Sequence, residues 1–237
     1  MSLELRNRLF DVIDSWTIVD PHTHINALQP ASTTLADVLG YHYYTELAHS
    51  AGMPREWIEE PGLAPKDKVG RLVEGLGPIE NTIQYSWFIE IAQSFFNFGS
   101  ERITPSNWER LYDDAATKMK QPDWSKQVLE KSRISAVFLT NDFDDPLVGF
   151  DTNVYIPCLR TDDLVFHLPK QAVRTRLQRA TGMSIDSPAR LRQAIGKLFD
   201  HFTAKGCRAC AISLPPDFAP TQVSAEAAAA AVHARTI

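Results

Sequence analysis

The sequence predicts an α/β fold on parallel strands, and three observations carry that expectation. Past Arg133, short apolar runs alternate with helical spacing, the pattern of a parallel sheet with crossover helices. Before them, a first strand at Trp16–Asp20 runs directly into a long stretch, residues 25–131, whose punctuation is helical throughout. That insertion takes about 107 of the 237 residues, and the remainder holds about four strand–helix units at roughly 30 residues each. About four units are half of a TIM-type (β/α)8 barrel. The expected organisation is therefore a first barrel strand with its loop (1–24), a helical insertion (25–131), and barrel strands two to four with their helices, truncated at the end (132–237).

Each element has a local reason. Trp16–Asp20 reads as a buried strand closed by Pro21. Tyr44, Leu47, Ala48 and Ala51 recur at helical spacing, with Gly52 and Pro54 as a stop. A second helix is expected over Lys66–Leu76. A third, over Glu80–Phe98, places Ile83, Trp87, Ile91, Phe95 and Phe98 along one side as a core stripe and ends at Gly99. Ser106-Asn107-Trp108-Glu109 has the form of a capping box for a helix reaching about Lys120, and Pro122-Asp123-Trp124 opens another that reaches Arg133. Strands follow at Ile134–Thr140 and Asn153–Arg160. Ser187-Pro188 starts a helix that Gly206 ends, Cys207–Leu214 is a strand, and the alanine run after Ser224 opens a last helix.

Composition narrows the function classes. With 44% hydrophobic and 22% charged residues the chain is an ordinary globular one. Its 24 Lys+Arg against 29 Asp+Glu give a net charge of -5, and no block of five like charges occurs, so nucleic acid and anionic membrane are poor partners. No apolar run approaches the roughly 18 residues of a spanning helix, and residues 1–14 lack the apolar core of a signal peptide; a cytoplasmic location is the expectation. Three cysteines cannot all pair. Cys207 and Cys210, three apart in extended chain, point to opposite faces and have no second Cys-x-x-Cys, so neither a disulfide framework nor a zinc half-site is expected.

The chemistry concentrates at Asp20-Pro21-His22-Thr23-His24. Residues i and i+2 of extended chain project to one side, so His22 and His24 can converge on one divalent ion at the strand end where barrel active sites lie. The alternative is two surface histidines in a loop. Catalytic zinc takes three protein ligands, so further ligands must come from elsewhere.

Together with Gly40-Tyr41-His42-Tyr43 at the head of the insertion, this segment resembles the uronate (glucuronate) isomerase family of the amidohydrolase superfamily. Leu139-Thr140-Asn141-Asp142 with Asp144-Asp145-Pro146 is similar to that family's acidic loop after its second strand. Pro157-Cys158-Leu159-Arg160 with Asp162 resembles its third-strand arginine segment, and Lys205-Gly206-Cys207-Arg208-Ala209 the approach to its fourth. The likeness runs over most of residues 15–214 as scattered short motifs.

The resemblance implies a metal-assisted aldose–ketose isomerase acting on a sugar acid, D-glucuronate to D-fructuronate, in a distorted (β/α)8 barrel. It implies that His22 and His24 hold a divalent ion, zinc first among several first-row candidates. It implies that His42 and Tyr43 serve as hydroxyl contacts and a proton-transfer pair, and that Arg160 grips the uronate carboxylate. Plainer readings stand beside these. His42, Glu46 and His49 at i, i+4 and i+7 form a polar helix face, and Arg160 is placed to pair with Asp162 or Asp163.

Two departures stand out. Cys210-Ala211-Ile212-Ser213 replaces the acid and histidine common on the family's fourth strand, and the family's later histidine and aspartate ligands have no counterpart before Ile237. The expectation is thus an N-terminal half of such an enzyme. A metal-dependent hydrolase or decarboxylase of the same superfamily stays open. So does a non-catalytic fragment that self-associates as a homo-oligomer through the insertion or an open sheet edge.

Overall fold

The computed structural model describes residues 2–234, which fall into two compact units. One unit is formed by the chain up to Leu28 and from Arg133 onward; the other is Gln29–Ser132.

The chain begins with α1 (Leu3–Asp14), capped by Ser2, whose hydroxyl accepts the Leu5 N–H at 3.2 Å. It then forms β1 (Ile18–Asp20). β1 is not the buried strand expected: Ile18 and Val19 are 48% and 51% exposed, because it lies at the edge of its sheet and is covered on neither face.

The second unit is all helical: α2 (Leu35–Leu39), α3 (His42–Ser50), α4 (Glu56–Glu59), α5 (Pro65–Glu74), a 3-10 turn at Gly77–Ile79, α6 (Ile83–Phe96), α7 (Trp108–Met119) and α8 (Trp124–Lys131). Its core is made where apolar residues recur three and four apart, as at Val69, Leu72 and Val73, or Leu111 and Ala115. Tyr44 and Ala48 of α3 point inward as expected. Gly52, at φ 106°, ends that helix while the Met53 N–H returns to the Ala48 carbonyl at 2.9 Å.

Two expectations fail in this unit. The core stripe of α6 is Tyr85, Phe88, Ile89, Ala92 and Phe96, whereas Ile83 and Trp87 are 58% and 46% exposed. The helix is apolar nearly all round, so spacing alone offers two faces. The Tyr85 hydroxyl, accepting the Ile103 N–H at 3.1 Å, selects one of them. The helix starts after Thr82, which caps it, and ends on Asn97 in the left-handed region rather than on Gly99. Nor is Ser106 the cap of α7: Asn107 holds that position and spends its side chain on the preceding loop, accepting from Thr104 N–H and donating to the Arg102 carbonyl.

The first unit continues with β2 (Ile134–Phe138), β3 (Tyr155–Ile156), β4 (Cys158–Arg160), α9 (Asp162–Phe166), α10 (Gln171–Thr181), α11 (Pro188–Ala204), β5 (Ala209–Ala211) and α12 (Ala225–His233). It is α/β, and its strand pairs are all parallel: Asp20 opposite Val137, Val137 opposite Tyr155, Cys158 opposite Ala209. The strand expected over Asn153–Arg160 is split at Pro157, which has no N–H to give to a ladder. β3 closes the sheet β1-β2-β3, and β4 pairs with β5. Among the described residues, a parallel bridge from Asn141 to Leu159 joins the two. The expected Cys207–Leu214 strand shortens to Ala209–Ala211.

Strand–helix alternation also breaks after β2, since a loop without a helix connects β2 to β3. Asp145 turns that loop by accepting the Leu147 N–H at 2.7 Å, and Leu147 and Gly149 take positive φ. Arg176 of α10 fastens it. Its guanidinium bonds Asp144 and Asp142 of the loop and Asp163 of α9, and lies 4.7 Å from the Phe143 ring centroid. Behind the strands, Phe143, Leu159, Leu177, Leu198 and Phe202 form a core of almost wholly buried side chains. Arg174, 4% exposed, donates to the Leu168, Ile185 and Val232 carbonyls and so caps the end of α12.

Two outcomes test this packing. Leu159, fully buried, sits where the two small sheets meet. Leu159→Ala is expected to cost about 2–5 kcal/mol, read as a lower urea midpoint at unchanged slope. The Arg176 guanidinium holds the Asp144 carboxyl below the usual carboxylate range. A carboxyl so depressed stabilises the fold above its unfolded value of about 3.9 and loses that stabilisation as pH falls through the folded value. Asp144→Asn is therefore expected to be less stable by about 1 kcal/mol at neutral pH, with the gap closing in urea titrations as pH falls below the unfolded value of about 3.9.

Candidate active site

The ladder between β1 and β2 does not stop at Asp20. The Thr23 N–H donates to the Phe138 carbonyl at 3.0 Å, and the Asp20 carboxylate accepts the His22 N–H at 3.1 Å. This holds the backbone extended through the Pro-His-Thr-His segment, so His22 and His24 leave on the same side. Their rings meet edge to face, centroids 4.8 Å apart, with the two Nε2 atoms 3.1 Å from each other. Thr140, just past β2, places its hydroxyl 2.8 Å from the Thr23 carbonyl and 3.1 Å from His24 Nδ1.

Both imidazoles line a cavity of about 360 Å³ at the C-terminal ends of the strands, together with Thr140, Cys158, Arg160 and Cys210. Arg160, the last residue of β4, donates from Nε to Asp162 at 3.1 Å. The other Asp162 oxygen accepts the Ser213 N–H at 3.2 Å. Desolvation works to raise the Asp162 carboxyl, yet the Ser213 N–H and the Arg160 guanidinium together hold it below the usual carboxylate range. The salt bridge the sequence suggested is thus present. It engages one edge of the guanidinium, and no hydrogen bond to either Nη is formed among the described residues.

The cavity thiols have the opposite character. Burial, with the neighbouring thiols, pushes Cys158 up to about 11, and burial with Cys207 raises Cys210 as well. Both remain protonated at neutral pH and are poor nucleophiles and poor thiolate ligands. Cys207 packs instead against the core behind the strands of its own unit, so the Cys-x-x-Cys pair does not converge.

Two imidazole Nε2 atoms 3.1 Å apart fit two adjacent positions around one divalent ion, whose bonds to histidine nitrogen are about 2.0–2.1 Å. A third ligand is not brought to them: among the described residues no group of three His, Cys, Asp or Glu side chains is placed to hold a metal.

His42 and Tyr43 belong to the helical unit, at the first turn of α3. They stand side by side with ring centroids 4.4 Å apart, both exposed, and Tyr41 stacks on His42 at 4.2 Å. Tyr43 lines an aromatic cavity of about 440 Å³ with Tyr41, Tyr44, Phe95 and Trp124. The polar face read from His42, Glu46 and His49 is present in part. His42 and Glu46 are exposed, whereas His49 is half-buried, bonded through Nδ1 to the Met53 carbonyl at 3.0 Å and 3.7 Å from Glu59.

The structure therefore brings His22, His24 and Arg160 to one cavity and sets His42 beside Tyr43. Sequence reasoning gave no role to the Thr140 hydroxyl. Its position one residue past the neighbouring parallel strand, level with the histidines, is the signal that marks it.

A family profile described as glucuronate isomerase matches residues 2–236. The uronate isomerase of Brucella suis is 26% identical over 189 residues, which are 68% of this chain and 39% of that protein. That of Haemophilus influenzae is 24% identical over 209 residues, 81% and 44% of the two chains. Among solved structures, the glucuronate isomerase from Caulobacter crescentus superposes with a TM-score of 0.82 at 15% identity, covering 95% of this chain and 52% of its own. The uronate isomerase from Thermotoga maritima gives 0.77 at 20%, covering 90% and 50%. At such identities the structures speak for the fold alone. The chain spans about two fifths of the curated relatives named and about half of the solved chains. With the profile matched over nearly its whole length, the chain belongs to the glucuronate isomerase family.

Proposed function

We propose that the chain carries part of the machinery for aldose–ketose isomerisation of a hexuronate, D-glucuronate to D-fructuronate. The observation that carries this reading is one cavity at parallel strand ends that joins a convergent imidazole pair to a guanidinium with both Nη groups open. In the same reading β1 to β5 supply about four strand positions of a (β/α)8 barrel, supported by parallel pairing in chain order. Residues 25–131 are an insertion between the first two strands.

The reaction moves a proton between C2 and C1 of the sugar and needs charge stabilised on the two oxygens. His22 and His24 would hold a divalent ion, zinc in our reading, which when bound supplies the polarisation of those oxygens. Arg160 takes the uronate carboxylate through its two Nη groups, while Asp162 fixes the guanidinium plane from the Nε edge. We assign the proton transfer to His42, an exposed imidazole, with the Tyr43 phenol beside it for a sugar hydroxyl. Three free thiols suit a reducing, cytoplasmic setting.

One observation favours a second reading. The β5 wall of the cavity, Cys210 to Ser213, offers no carboxylate or imidazole, and its thiol is held protonated. A metal-dependent hydrolase or decarboxylase would need no such pair there.

Proton NMR of a zinc-supplemented full-length form with D-glucuronate is expected to show D-fructuronate accumulating, with no product from the neutral aldose. Arg160→Ala should lower kcat/KM by about 10- to 100-fold, mainly through KM, as expected when a charge-assisted grip on a remote carboxylate is lost. Cleavage of a lactone or amide without isomerisation would select the second reading, and no turnover of any hexuronate with zinc bound would overturn the isomerase assignment.

A further inference from the structure

We propose that Thr140 fixes the tautomer of His24, presetting that imidazole as a lone-pair donor at Nε2 and leaving His22 as the one that must relocate its proton to take an ion. The first half concerns the chain by itself; the second rests on the ion-binding part of the proposed function.

A threonine hydroxyl has one proton to give and lone pairs to accept with. The Thr140 oxygen has two neighbours, the Thr23 carbonyl at 2.8 Å and His24 Nδ1 at 3.1 Å. A carbonyl only accepts, so without a proton the 2.8 Å contact would set oxygen lone pairs against each other. The hydroxyl proton therefore belongs to Thr23. Towards His24 the oxygen can only accept, and His24 Nδ1 must carry the N–H that it receives.

A neutral imidazole protonated at Nδ1 has its lone pair at Nε2. In His24 that atom faces His22 Nε2 at 3.1 Å. Two lone pairs do not share that separation favourably, so in the ion-free chain His22 keeps its proton on Nε2 and donates it to His24. The hydrogen bonds then run in one direction: His22 to His24, His24 to Thr140, Thr140 to the Thr23 carbonyl. No hydrogen bond to His22 Nδ1 is formed among the described residues, so nothing opposes moving that proton to Nδ1 when an ion takes the Nε2 lone pair. Thr140 thus acts through His24 as a positioning residue, and the backbone register that pairs Thr23 with Phe138 keeps its acceptor in place.

The test is long-range proton–nitrogen correlation NMR on the full chain labelled at histidine, near pH 8.5, about two units above the ordinary imidazole value, with His22→Gln and His24→Gln for assignment. The expected spectrum has His24 as the Nδ1–H tautomer and His22 as Nε2–H, and added zinc converts His22 alone. Thr140→Val, close in shape but without the hydroxyl, is expected to lose the single His24 tautomer and to bind zinc about 10- to 100-fold more weakly, while Thr140→Ser restores both. His24 found as Nε2–H in the unsubstituted chain overturns the proposal. So does a folded Thr140→Val with tautomer and zinc affinity unchanged. If Thr140→Val does not fold, the unsubstituted spectrum and Thr140→Ser decide. Failure of the unsubstituted chain to bind zinc overturns the ion reading and the His22 half, and the ion-free spectrum still decides the role of Thr140.

Discussion

Thr23 pairs with Phe138 through its N–H, a backbone bond beyond the β1–β2 strands proper, and its carbonyl accepts the Thr140 hydroxyl. That pairing holds the residues flanking Thr23 in extended conformation, so their side chains share a face. Lost pairing at Thr23 would let His22 and His24 rotate independently, and the 3.1 Å approach of their Nε2 atoms would go with it. The same pairing carries the Thr140 hydroxyl to His24. The placement of the imidazole pair thus depends on bonds between segments more than a hundred residues apart in sequence.

The cavity around that pair combines groups of different character. Arg160 brings a fixed positive charge, held by an aspartate that Ser213 also binds. The thiols opposite are neutral because burial disfavours the thiolate. The cavity therefore presents a cation with no thiolate at its side. The Arg176 cluster holds the loop after β2 from behind, where Asp142 and Asp144 compensate a guanidinium instead of facing the site. The acidic loop that resembles the family's motif is in this chain a fastening for the β2–β3 connection.

Much of this was legible in the sequence, and for physical reasons. A His-x-His directly after an apolar strand carries its own geometry, since extended chain has a period of two. Arg160 was legible as a strand-end residue, along with its pairing to Asp162. What failed was decided by tertiary context. The period of α6 offers two apolar faces, and only the Tyr85 bond to Ile103 chooses between them. β1 looks buried by composition but lies at a sheet edge. Pro157 was visible in the sequence, yet its effect, the division of one expected strand between two sheets, depends on which neighbours each half finds. α10 left almost no signal, because its inward face carries Arg174 beside Val173 and Leu177, and a buried arginine reads as surface until the carbonyls it binds are known.

The central claim is that the His22–His24 pair is a ligand pair for a divalent ion, and X-ray absorption at the zinc edge of the zinc-loaded chain tests it most directly. Two imidazole nitrogens at about 2.0–2.1 Å are expected, falling to one in His22→Ala and in His24→Ala. A shell dominated by sulfur at about 2.3 Å, or an imidazole count that neither substitution changes, would place the ion elsewhere and contradict it.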